Sequence, residues 1–404
     1  TAYYRLVADL QMNANSADYK TWATFQPGTV SFVFNAPANN FTPIGKNATY
    51  RFKGVFDGNG HTISGLYVSA GGDMGLFGQI EGATVKNLTI KNSVFAATNK
   101  SNGAGAIAGV VYEGTFENCK IENVSVLNKG NAGGVAGTIN KDTVYRNIIF
   151  SGEIVSSENH AGGIVGQGNY GANVLAIDVS VSGSVYAKNN AAGFVGIMNT
   201  NPRLVFADCQ NDATVTSVSG IAAGIIGSCF YTTGGNALIE MKNVTNRGAV
   251  TGATYAGGII GSTTSNSKTG YVTLHNILNS GAVKTTGADA SAVGAGGIFG
   301  HVHARMFVKM DNCVSLGTVE GVNAGSVIGL FALAEDNSVA QNVYGLGQTV
   351  GSAPELVVEQ GKFLQLTDEQ ANGTDASVLN ALNGAVTDEN GYKTWSLADG
   401  KLAF

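Results

Sequence analysis

The sequence predicts an all-β parallel β-helix: a solenoid of three short strands per rung, repeating about every thirty residues and capped at both ends. Three observations carry this. A Gly-Gly-Ile-x-Gly signature recurs at a nearly constant spacing, an Asn/Asp row runs in phase with it, and nothing between copies has the period of a crossover helix. The composition agrees, with 57 Gly, 5 Pro, 13% charged and 44% hydrophobic residues in 404. The apolar residues fall in short β-branched clusters separated by Gly, Asn, Ser and Thr, as short strands with tight corners require.

The signature runs from Met74-Gly-Leu-Phe-Gly78 through Gly162-Gly-Ile-Val-Gly166 and Gly257-Gly-Ile-Ile-Gly261 to Gly325-Ser-Val-Ile-Gly329. Its nine final glycines are spaced 31, 28, 29, 30, 31, 34, 39 and 29 residues apart. The second marker is Asn87, Asn118, Asn147, Asp178, Asp208, Asn243, Asn276, Asn312 and Asn342. A Gly-x-Val/Ile step follows, as in Gly152-Glu-Ile154 and Gly281-Ala-Val283. Such a unit cannot bury its apolar face alone, so equivalent strands must stack into parallel sheets. The two longer spacings arise where residues 263–269 and 286–293 add polar sequence, which reads as loops leaving one corner.

Each column then has a physical reading. Glycine at a corner permits positive φ and lets neighbouring rungs approach closely. The Asn/Asp row reads as an amide ladder; if Asp178 and Asp208 both point inward, one carboxyl must have a raised pKa or a water partner. The residues just before it, among them Lys86, Glu117, Arg146, Lys242, His275 and Asp311, read as an outward column, with Glu117 between two opposite charges. Cys119, Cys209, Cys229 and Cys313 show no paired spacing and are expected to be buried thiols.

One column resists this scheme. Both central positions of the signature are apolar, the second being Phe77, Val165, Val195, Ile226, Ile260 and Phe299 among others. Consecutive strand residues face opposite ways. Either a bulge at the glycines turns both inward, or this face is covered, or it is an exposed partner-binding stripe. Tyr112, Tyr170, Phe230 and Tyr231 follow the signature closely and are candidate binding aromatics.

Both ends depart from the repeat, as caps over open sheet edges would. Residues 1–50 form an expected N-terminal cap with Trp22 and a strand at residues 30–34, residues 51–350 the repeat body, and residues 351–404 a C-terminal cap. In the last, Thr367-Asp-Glu-Gln370 fits a capping box, residues 377–382 read as a short helix ended by Gly384, and residues 392–395 pair with 401–404 across Asp399-Gly400.

Several function classes are disfavoured. A net charge of −5 without a Lys/Arg block argues against nucleic acid. No apolar run spans a bilayer, and Thr1 begins without a charged or apolar leader, which leaves export open in a trimmed product. None of the five histidines is followed by Glu, so a zinc-peptidase His-Glu-x-x-His is missing; His301-Val-His303 lacks an evident third ligand. Gly166-Gln-Gly-Asn-Tyr-Gly171 precedes a strand rather than the helix a dinucleotide site needs. Asp178, Asp208 and Asp212 are the clustered carboxylates a polysaccharide-cleaving enzyme would use, but two of them sit in the ladder row. No cofactor or metal is expected, and the chain reads as a monomer.

Phe52-Lys-Gly-Val-Phe-Asp-Gly-Asn-Gly-His-Thr-Ile63, followed by Gly75-Leu-Phe-Gly78 and Val85-Lys-Asn-Leu88, resembles the opening of GLUG-motif repeat proteins. The later signatures are similar to the GLUG repeat, and Tyr4–Leu10, Phe41–Gly45, Leu379-Asn380 and Trp395 are similar to its flanks. The resemblance implies a right-handed β-helix on an exported or surface-attached bacterial protein acting in adhesion or cell-surface recognition; it names no ligand, and a glycan or a host or matrix protein is the expected one. Similar repeats accompany immunoglobulin-A-cleaving metallopeptidases whose catalysis lies in a separate domain. A structural spacer and a polysaccharide-cleaving β-helix are the alternatives.

Overall fold

A computed structural model describes residues 2–27, 31–69, 71–97, 100, 102–199, 202–231, 237–265, 270–289, 291–303, 305–331, 339–347 and 363–404. The chain divides into two compact units, Thr1–Thr200 with Asp212–Ser219, and Asn201–Asn211 with Gly220–Phe404. Each is a parallel β-solenoid.

In the first unit, Ala2–Arg5 pairs in parallel with Gly54–Asp57, and Leu10–Gln11 with Thr62–Ser64. The segments Phe77–Ala96, Ala108–Asn128, Thr143–Ser156 and Val174–Ala187 then stack in parallel. Lys86, Glu117, Arg146 and Ile177 lie in one register column, and Leu88, Cys119, Ile148 and Val179 form a buried one. The short strands Gly103–Gly105, Asn131–Gly133, Ala161–Gly162 and Ala191–Ala192 make a second sheet. Residues 15–27 and 31–34 leave the rungs as a 3-10 turn and an antiparallel pair of strands, Ala23–Gln26 with Ser31–Phe34. They bury Tyr19 and Trp22 against Tyr67, Val94, Leu127 and Val155, and set Phe25 4.8 Å from the Tyr186 ring.

The second unit repeats the plan with Arg203–Asn211, Ala237–Asn246, Gly270–Asn279, Met306–Ser315 and Val339–Leu346. Leu364–Leu366 adds to the last of these in parallel. The Thr367 capping box forms, and Ser377–Gly384 is helical behind the Asp375 carboxylate, which accepts the Ser377 N–H at 2.9 Å. Val378, Leu382, Trp395 and Leu402 pack on Leu278, Val314, Tyr344 and Leu366. The closing hairpin is shorter than expected, Ser396–Ala398 with Lys401–Ala403, turned by Asp399 and Gly400 at φ 50° and 70°. Residues 392–395 do not join it.

The signature makes a corner rather than a continuous strand. Ala161–Gly162 ends one sheet, the chain bends at Gly163 and Ile164, and Val165–Gly168 begins the other. The bend breaks the alternation, so both apolar residues point into the core. This corrects the expected partner-binding stripe: Phe77, Val165 and Val195 in the first unit and Ile226, Ile260 and Phe299 in the second are all 0% exposed. Val165 pairs with Val195, and Ile226 with Ile260 and on to Phe299, as internal columns.

The signature glycines meet one half of the expectation and not the other. Positive φ is absent there, and close approach explains them: a Cβ on Gly163 would stand 1.8 Å from the Gly193 carbonyl oxygen. The left-handed corners belong to the Asn/Asp row, where all nine residues have φ between 50° and 59°. Asn and Asp tolerate this conformation because their short polar side chains hydrogen-bond locally.

Candidate functional site

The ladder is built from these corners. In the first unit, Asn87 Nδ2 donates to Asp57 Oδ1 at 3.0 Å, Asn118 Nδ2 to Asn87 Oδ1 at 3.1 Å, and Asn147 Nδ2 to Asn118 Oδ1 at 2.9 Å. In the second, Asn243 donates to Asp208 at 3.0 Å, Asn276 to Asn243 at 2.9 Å, and Asn312 to Asn276 at 2.8 Å. Every donor points one rung back, so a residue that only accepts fits at the head. Asp57 and Asp208 occupy that place. Asp178 is exposed and Asp208 half-buried, so the condition for two inward carboxylates is not met. Asp57 is held at about 2, first by the Tyr3 hydroxyl that donates to it at 2.5 Å, then by Asn87, the Asn59 N–H and Lys86.

A second, fully buried ladder was not anticipated. Asn211 Nδ2 donates to Asn246 Oδ1 and Asn246 Nδ2 to Asn279 Oδ1, each at 2.8 Å, while Asn246 and Asn279 also donate to the Gly248 and Gly281 carbonyls. The recurring Asn-x-Gly of Asn246-Arg-Gly248 and Asn279-Ser-Gly281 was the available signal.

A polar groove of about 510 Å³ lies on the first unit, which also has a larger concavity of about 630 Å³ under residues 19–25. One wall is the register column Gln79, Val110, Thr138 and Gln167, the residues that follow the final signature glycines. The facing wall carries Asp73, Asn102, Asn131 and Asn159, and Tyr112, Asn140 and Asn169 line the same groove. Asn131 is 7% exposed. Its amide nitrogen donates to the Asn102 carbonyl at 3.2 Å and to Thr138 Oγ1 at 3.1 Å, while its Oδ1 has no hydrogen-bond partner. Buried polar atoms normally find partners, and this oxygen, closed off from solvent, is an exception among the described residues.

The rest of the lining is fixed in the same way. Gln79 Nε2 donates to Asp73 Oδ2 at 2.7 Å, and burial pushes the Asp73 carboxyl above its usual range against that bond and those from the Gly103 and Asn102 N–H groups. Gln167 donates to Asn169 at 2.7 Å, which donates to Asn140 at 2.8 Å. Lys100 lies 3.5 Å from Glu158. The Arg51 guanidinium sits 3.6 Å over the Tyr112 ring and 3.4 Å from Glu81. Sequence reasoning found Tyr112 but missed the amides; the polar residues after the last signature glycine were the clue.

The other aromatic candidates do not gather into one platform. Tyr170 is exposed, Phe230 is partly buried in the second unit, and Tyr231 follows it at the end of the same strand. The second unit instead presents Tyr271 stacked on Phe307 at 5.4 Å. His301 is buried, 3.0 Å from Ser262 Oγ and stacked on Tyr255, and burial first, then His303, lowers it to about 4. All four cysteines are buried free thiols, with Cys119 pushed up to about 12 by burial. Among the described residues no group of three or more His, Cys, Asp or Glu is placed to hold a metal, and no helix is long and apolar enough to cross a membrane.

No family model matches the chain. Over 121 residues it is 35% identical to halomucin of Haloquadratum walsbyi (strain DSM 16790 / HBSQ001), a stretch covering 28% of this chain and 1% of that protein. A solved structure from Bacteroides ovatus, described as a candidate immunoglobulin A1 protease, aligns over 100% of this chain and 85% of its own. The identity is 14% and the TM-score 0.31, a superposition too loose to transfer an activity.

Proposed function

We propose that the protein is a non-catalytic recognition and adhesion module of the GLUG-motif kind, exported to a bacterial cell surface or secreted, and that the first unit's groove binds a neutral glycan. The observation that carries the reading is the set of seven side-chain amides in the groove's lining, among them the buried Asn131 with its unpartnered Oδ1. Amides offer donors and acceptors together, which suits hydroxyl groups that do both. The lining's charges are internally committed, Asp73 to Gln79 and Lys100 to Glu158, which favours an uncharged ligand over a uronate or sulfated chain. Hydrolysis uses a pair of carboxylates flanking the bond, and the groove presents Asp73 alone among its described lining.

The test is an array of neutral and acidic polysaccharides probed with the full chain and with Asn140→Ala/Gln167→Ala. Saturable binding to a neutral chain, weakened at least tenfold in the variant at unchanged melting temperature, is expected. Binding to acidic chains alone, equal binding by the variant, or release of shortened sugars would refute it.

A further inference from the structure

The two outer ladders differ in what lies on them. A side-chain amide has two N–H donors and an oxygen with two lone pairs, and a ladder engages one of each. In the second unit the remainder is taken by the chain's own C-terminal arm. Asn243 Nδ2 donates to the Gly391 carbonyl at 3.0 Å and Asn243 Oδ1 accepts the Lys393 N–H at 3.0 Å. Asn276 Nδ2 donates to the Lys393 carbonyl at 3.1 Å and Asn276 Oδ1 accepts the Trp395 indole N–H at 2.5 Å. Both amides thus make four hydrogen bonds. Residues 391, 393 and 395 address the ladder, while the Tyr392 hydroxyl meets His275 Nδ1 at 2.7 Å and Asp311 Oδ2 at 2.9 Å in the outward column.

The first unit has the same row with nothing seated on it among the described residues. Among the described residues Asn118 makes only its two ladder bonds, and Asn118 and Asn147 are exposed. Beside them lie Glu117 and Arg146, in register, neither within 4.0 Å of an opposite charge among the described residues. They occupy the column in which His275 and Asp311 receive Tyr392. We infer that Asn87, Asn118 and Asn147 form a docking track for an extended peptide segment of a partner protein, read through its backbone as the C-terminal arm is read by Asn243 and Asn276. The segment that fits presents a hydroxyl-bearing side chain, as Tyr392 does, to Glu117 and Arg146.

The probe is a fluorescent peptide of residues 388–396, titrated against the full chain by fluorescence polarisation. Asn118→Gly/Asn147→Gly keeps the left-handed corners and removes both amides. Saturable binding is expected, at least tenfold weaker in that variant and in a peptide N-methylated at the Lys393 position, with circular dichroism unchanged. No saturable binding, or binding indifferent to either change, would overturn the inference. Sedimentation showing a dimer that Asn118→Gly/Asn147→Gly dissolves would overturn it too, by making the occupant a second copy. Asn140→Ala/Gln167→Ala should leave peptide binding unchanged, so this result stands or falls apart from the glycan groove.

Discussion

At the residue scale, the asparagines of the outer row do two tasks that no other residue combines. Their φ near 50° disfavours any side chain with an ordinary Cβ by about 1–2 kcal/mol, and their amides join neighbouring rungs. Asn118→Ala should therefore cost about 2–3 kcal/mol, combining that strain with a lost hydrogen bond, and Asn118→Gly clearly less, as read from thermal unfolding by circular dichroism. Asp57 allows a check on acid stability. Its folded pKa of about 2 lies below the ordinary carboxylate value of 3.8, so the stability it supplies is present above pH 4 and is lost as pH falls toward 2. Asp57→Asn should flatten that part of the stability curve, whereas an unchanged acid slope would contradict the assigned bond to Tyr3. The row itself was legible because Asn is depleted in strands, so its strict recurrence inside apolar ones marks a structural column. Its handed backbone was not, because the signature glycines seemed the natural owners of positive φ, and only the geometry shows that steric closeness claims them instead.

At the element scale, the signature corner explains why the second apolar column was misjudged. Alternation was applied across a bend at Gly163 and Ile164 where one sheet hands over to another, so Ile164 and Val165 both turn inward. Val195→Asp should then abolish cooperative unfolding of the first unit, because an unpaired carboxylate cannot be accommodated at a site with no solvent exposure. Loss of a binding partner with the fold intact is the outcome this excludes. The C-terminal helix and its capping box were readable from local chemistry, since Thr367 and Gln370 satisfy each other within one turn. The arm was not, because its hydrogen-bond partners lie 117 to 150 residues earlier in the chain. Trp395→Ala removes a side chain 2% exposed and should cost about 3–5 kcal/mol, measured by denaturant unfolding.

At the scale of the whole molecule, the half-buried His160 and the buried His301 should shape the pH response. Burial holds His160 and His301 at about 4, against an ordinary 6.5. Between those values the unfolded chain binds protons that the folded chain refuses, so stability falls as pH drops from about 6.5 to about 4, by up to about 3 kcal/mol per histidine. A double His160→Asn/His301→Asn variant should melt at nearly the same temperature at pH 7 and pH 5, where the parent protein does not. The ladder's one-way polarity reaches further still. Because each ladder keeps one direction along the stack, the outer one looking back and the buried one forward, a gene that duplicates or deletes one complete coil leaves the amide junctions chemically equivalent, while a change of a few codons must be ejected sideways. Lineages of such proteins should accordingly differ in length by whole increments of the period, with odd remainders confined to protruding segments.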